Sequence, residues 1–192
     1  EGKEPSCLPN LLHVALAGPL PMFNAMLPRL PTCLRALSIH APDSLQTTAS
    51  DGTRILLETL ERCSSLESLQ LCWPGNWHSK PLGQFGSLFF TLTNLVRLHL
   101  SHFQAMDATP LWEHLGKLSY LHQLHLTETD DIGIDWDTLC SHLPDLAEFA
   151  GFFGTFRTES LLAFIANAPQ LTRLQSLRLY ASKLKTCFHY HH

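Results

Sequence analysis

Two histidines, His99 and His125, hold the same place in two leucine-framed segments, Arg97-Leu-His-Leu-Ser101 and Gln123-Leu-His-Leu-Thr127. Imidazole is the commonest proton carrier and zinc ligand, because it changes charge between about pH 5 and 8. A catalytic zinc centre needs three protein ligands and an open position. The residues in the equivalent place of other segments, Gln70 and Arg178, do not supply a third. The C-terminal run Cys187-Phe-His189-Tyr-His191-His192 also carries ligand types at tight spacing, but a chain end of this kind is expected to fray. Cys140 and His142 are two residues apart, and on a helix such residues do not face each other. No general base is therefore in place for a cysteine nucleophile. The acidic run Glu128, Asp130, Asp131, Asp135 and Asp137 suggests calcium. A calcium loop closes on a bidentate Glu at its twelfth position. Counting from Asp130 or Asp131, that position falls on Ser141 or His142. The phosphate-cradling, nucleophile-elbow, zincin and dinucleotide motifs are all missing from the sequence. The residues thus predict no catalytic centre, no cofactor and no resident metal, so the chain is expected not to be an enzyme.

Composition restricts the partners further. The 192 residues are 45% hydrophobic and 16% charged, enough for one domain with a sizeable core. Thirteen Lys and Arg against 17 Asp and Glu leave a net charge of −4. Nucleic acid and anionic membrane both call for a basic footprint, so neither is expected as a partner. The apolar stretch from Leu8 to Leu30 is broken by Pro9, Pro19, Pro21 and Pro28 and cannot run as a spanning helix. The six cysteines stand singly, with no C-x-x-C pair, and read as reduced thiols of a cytoplasmic or nuclear protein. The chain opens at Glu1 without a methionine, which suggests a single domain, residues 1–192, cut from a longer protein.

The elements that must position these side chains come from a repeat. The pattern L-x-x-L-x-L starts at Leu66, Leu95, Leu121 and Leu174, with conservative swaps at Leu11 and Leu34 and a degenerate copy at Leu146 that ends on Gly151. The starts are 23, 32, 29, 26, 25 and 28 residues apart. Leucine-rich repeats run at about 20–29 residues, so only the longest step needs an insertion. Between starts lie apolar residues at helical spacing: Ile55, Leu56, Leu60 and Cys63; Leu111, Leu115 and Leu118; Leu139 and Leu143; Leu161, Leu162 and Ile165. Pro110 suits a helix start, and Pro144 and Pro169 suit helix ends. The predicted fold class is α/β. About seven strand-plus-helix units form a leucine-rich-repeat solenoid, a horseshoe with parallel strands on its concave face and helices on its convex face.

These strand motifs, with the phrase Leu57-Glu-Thr-Leu60-Glu-Arg-Cys63-Ser-Ser-Leu66, resemble the long-repeat leucine-rich proteins similar to ribonuclease inhibitor. In particular the chain resembles the leucine-rich region of fungal F-box proteins, over about Leu8 to Leu184. The resemblance implies a protein-interaction module, the substrate-recognition arm of an F-box-type ubiquitin-ligase adaptor. The alternative reading is the ligand-sensing leucine-rich region of an immune-type receptor or effector.

In a strand whose leucines point inward, the alternating residues face outward. Stacking the motifs predicts three rows across the sheet: His13, Ala36, Ser68, Arg97, Gln123, Glu148 and Ser176; Ala15, Ser38, Gln70, His99, His125, Ala150 and Arg178; and Ala17, His40, Cys72, Ser101, Thr127, Phe152 and Tyr180. Row neighbours should sit about 4.8 Å apart. Arg and Tyr are common interface anchors. Arg97, His99, Gln123, His125, Arg178 and Tyr180 are accordingly the expected contacts of a protein partner, held by a monomer, and the patch suits an acidic or aromatic segment. The loop Trp73 to Pro81 is expected to fold back over the core. The stretch Gly151-Phe-Phe-Gly-Thr-Phe156 is expected to break the regular packing.

Overall fold

The computed structural model describes residues 10–41, 49–72, 90–101, 115–129, 136–153, 156–182 and 184–185. Seven strands form one parallel sheet: β1 (His13–Ala17), β2 (Ala36–His40), β3 (Ser68–Cys72), β4 (Arg97–Ser101), β5 (Gln123–Thr129), β6 (Glu148–Phe153) and β8 (Ser176–Ala181). Their order across the sheet follows the chain, so each crossover advances by one strand in the same direction. The short β7 (Phe156–Arg157) and β9 (Leu184–Lys185) pair separately. The helices among the described residues are α1 (Leu20–Met26), α2 (Ala49–Arg62), α3 (Trp136–His142) and α4 (Thr158–Asn167). Pro21 and Pro28 stand at the starts of α1 and of the following 3-10 turn, where a missing N–H costs nothing.

The leucine motif explains each strand. Its first leucine lies two residues before the strand, and Leu34, Leu66, Leu95, Leu121 and Leu146 are all fully buried there. The second and third apolar positions, Leu37 and Ile39 through Leu124 and Leu126, point to the same face and are equally buried. Phe23, Leu27, Leu56, Leu60, Leu139 and Phe164 from the helical segments close the other side of this core. The expected inward faces at Leu56, Leu60 and Cys63, and at Leu139 and Leu143, hold. Leu115 and Leu118 are buried as well, whereas Leu111, Pro110, the Trp73 to Pro81 loop and the Cys187 to His192 tail lie outside the described residues.

Each strand start is tied to its predecessor by a shared carbonyl. The N–H groups of Arg35 and Ala36 both donate to the Leu12 carbonyl, and those of Glu67 and Ser68 both donate to that of Arg35. The same joint recurs on Glu67, Val96, His122 and Ala147, so all six junctions of the sheet carry it.

The last units depart from the sequence reading. In α4 the inward side chains are Leu161 and Phe164, while Leu162 and Ile165 are 61% and 57% exposed. Helical spacing marks an apolar stripe without saying which edge of it finds a neighbour, and among the described residues no further α-helix stacks beyond α4. The degenerate motif at Leu146 is repaired locally. Gly151 leaves the third inward place empty, and the Phe153 ring folds into it so closely that a Cβ at residue 151 would overlap the ring. The register slips between Thr127 and Thr129 opposite Phe152 and Phe153, which is the expected packing irregularity. Trp136 then packs edge-on against Phe149, Phe153 and Phe164, with centroids at 5.7, 6.5 and 4.9 Å.

Candidate functional site

Strand pairing brings the three rows into register. Arg97 pairs with Gln123 and Gln123 with Glu148; His99 pairs with His125, His125 with Ala150 and Ala150 with Arg178. Residues up to about 80 positions apart in the chain thereby share one patch on the sheet face turned away from the core. Two members of the rows are not on offer as surface: Cys72 and Ala150 are 6% and 4% exposed. Small side chains between larger neighbours are shaded even on an outward face.

Within the patch the side chains form two linked groups. His99 Nε2 lies 3.0 Å from Thr127 Oγ1 and 3.2 Å from Ser101 Oγ, and those two hydroxyls also bond to each other. The His99 ring meets His125 edge to face at 5.7 Å. Burial, and secondarily the neighbouring His125, holds the His99 pKa below the ordinary histidine value, so this imidazole is neutral at pH 7. Beyond His125, Arg178 Nη2 donates to Glu148 Oε1 at 2.8 Å. His125 Nε2 stands 3.3 Å from that same oxygen but out of line for a hydrogen bond. A third component is aromatic: Phe152 and Tyr180 stack at 4.4 Å and 16° while both remain exposed. Arg97 is exposed and makes no ion pair among the described residues.

All six expected contact residues thus fall on one face, and His99, His125, Arg178 and Tyr180 each engage a further side chain there. Sequence reasoning placed Glu148, Thr127, Ser101 and Phe152 in the rows without giving them a role. Glu148 is the most consequential of these, because it neutralises part of the cationic patch expected at Arg178. Its signal was available: one row over and one strand away from both His125 and Arg178, it is the only acid in the three rows.

Two of the cysteines among the described residues are held unreactive. Cys63 and Cys140 are buried, and burial drives both thiols up, Cys140 to about 11, which leaves almost no thiolate at neutral pH. His142 Nδ1 accepts no proton from Cys140; it sits 2.8 Å from the Thr138 carbonyl. Asp137 occupies the first turn of α3, and most of the acidic run before it lies outside the described residues. Among the described residues no three His, Cys, Asp or Glu side chains gather as a metal would require. A groove of about 560 Å³ runs past the strand starts between Leu12 and Tyr120, floored by the Arg35–Glu67 ion pair at 3.1 Å. Among the described residues no helix is long and apolar enough to cross a membrane.

The architecture is an open, seven-stranded parallel α/β sheet carrying a polar and aromatic patch on the face turned away from the core. No protein-family model matches the sequence, and comparison with curated proteins returns no significant match.

Proposed function

We propose that this chain is a leucine-rich-repeat solenoid whose concave sheet face captures a protein partner, and that it acts as the substrate-recognition arm of an F-box-type ubiquitin-ligase adaptor. One observation carries the reading. Strands in unbroken chain order, paired in register, gather Arg97, His99, Gln123, His125, Arg178 and Tyr180 into one outward patch. Partner capture fits this surface because it pairs exposed Arg and stacked aromatics, the residue types that anchor protein interfaces. The adaptor role rests on the resemblance to F-box leucine-rich regions. A solenoid offers a wide, rigid surface with no enclosed cavity for a small substrate.

The test is affinity capture from native cells with the full-length protein, comparing wild type with the Arg97→Glu, Arg178→Glu double variant. The expected result is loss of one partner from the variant with ligase subunits retained in both, and a melting temperature lowered by only a few degrees, the cost of setting a carboxylate beside Glu148 on a half-exposed face. Identical captures by both forms would overturn the assignment of the face. Absence of every ubiquitin-ligase subunit from both would overturn the adaptor role.

A further inference from the structure

Glu148 serves two basic side chains with one oxygen. Oε1 accepts from Arg178 Nη2 at 2.8 Å, and His125 Nε2 stands 3.3 Å from the same atom. That nitrogen is buried and makes no hydrogen bond among the described residues. His99 makes no hydrogen bond to it; the His99 Nε2 contacts the Thr127 and Ser101 hydroxyls, and the ring itself meets His125 edge to face. The titratable and charged groups around His125 are therefore Arg97 and His99 on β4, Glu148 on β6, and Arg178 and Tyr180 on β8.

A proton on His125 changes the competition for Glu148. An imidazolium whose nitrogen is shielded from water cannot remain unpaired without a large desolvation cost. The Arg178 side chain is 55% exposed and can turn into solvent at little cost. Of the two cations, His125 needs the carboxylate more. The neighbouring His99, whose pKa burial holds below the ordinary histidine value, takes up its proton later and makes no contact with the carboxylate.

We propose that the sheet face is proton-gated: protonation of His125 draws Glu148 away from Arg178 and releases the guanidinium for a carboxylate of the docked partner. This rests on the docking reading of the same face and adds its regulation. Acidification gives the patch one further positive charge and a free bidentate donor beside the Phe152–Tyr180 stack. The partner is then a segment carrying carboxylates next to aromatic side chains. Because one proton is taken up with the partner, affinity rises as pH falls, by at most about tenfold per pH unit.

Two measurements on the full chain test this. In the first, nitrogen-15 resonances of the arginine Nε and histidine rings are followed from about pH 7.5 to 5.5, the range in which imidazoles charge, with no partner present. The Arg178 signal is expected to move with the His125 midpoint, to stay still in His125→Gln and Glu148→Gln, and to move as before in His99→Gln. An Arg178 signal that ignores the His125 titration, or moves equally in His125→Gln, would overturn the gate. In the second, a fluorescein-labelled peptide of alternating Glu and Tyr is titrated by anisotropy at both pH values. Binding is expected to tighten roughly three- to tenfold at the lower pH in wild type and not in His125→Gln. Binding without pH dependence would also overturn the gate. No binding at either pH, with Arg178 still following His125, would count against the docking reading and leave the coupling standing.

Discussion

Leu98 and Leu177 occupy the same place in their motifs, the second leucine, yet the fold treats them differently. Leu98 on β4 is 1% exposed, flanked by Leu69 on β3 and Leu124 on β5. Leu177 on β8, the edge strand, has a strand neighbour on one side alone among the described residues, Phe149, and is 46% exposed. Truncating Leu98 to Ala removes three buried carbons, worth about 2.5 kcal/mol in transfer. Neighbours fixed on both sides cannot collapse into the space, so the cavity adds about 1–2 kcal/mol more. The expected loss is about 4 kcal/mol. Leu177→Ala gives up about half of that transfer and leaves no enclosed void, so it should cost about 1 kcal/mol. Urea unfolding followed by circular dichroism, with the slope compared across variants, measures both. Equal losses at the two positions, or a loss under about 1 kcal/mol at Leu98, would show that the stacking of strands does not set the burial.

Gly151→Val should destabilise by about 1–3 kcal/mol, read in the same urea experiment, because its Cβ displaces the Phe153 ring from the core. His99 has a folded pKa below its ordinary value of 6.5. The unfolded chain therefore binds its proton first, and the His99 contribution is intact above that value and lost as pH falls below it. Melting temperatures between about pH 5 and 8 should accordingly fall less steeply on acidification in His99→Gln than in wild type. Trp136→Ala should cost about 3–5 kcal/mol by emptying the centre of the Phe149, Phe153 and Phe164 cluster, again by urea unfolding. Alkylation at about pH 8 with peptide mapping should find Cys140 unmodified in the native protein and modified in urea, since burial suppresses both access and thiolate.

The first five motifs were legible because each leucine has one task. A residue that is buried at the same offset before each strand leaves the same trace each time, so the row residues from His13 to Tyr180 could be aligned from spacing alone. The trace fails where a neighbour differs or is missing. Leu162 and Ile165 carry the helical period, yet their burial depends on what lies beyond α4. Gly151 looked like a defect because the compensating ring comes from two residues further on, outside the hexapeptide. At the site, positions were legible and partnerships were not. Spacing put His125, Glu148 and Arg178 near one another, but the sharing of a single carboxylate oxygen depends on side-chain reach, which no periodicity encodes.

The doubled hydrogen bond at each strand start has a consequence for which changes of length such a chain can tolerate. Alignment between units is fixed at that joint, by two N–H groups on one carbonyl, and owes nothing to the length of what lies between joints. The spacings of 23 to 32 residues show that one sheet accepts crossovers of different length. A deletion or insertion within a crossover should therefore leave the flanking strands paired without slipping. A single residue added between the first leucine and its strand would instead turn every outward side chain of that strand inward.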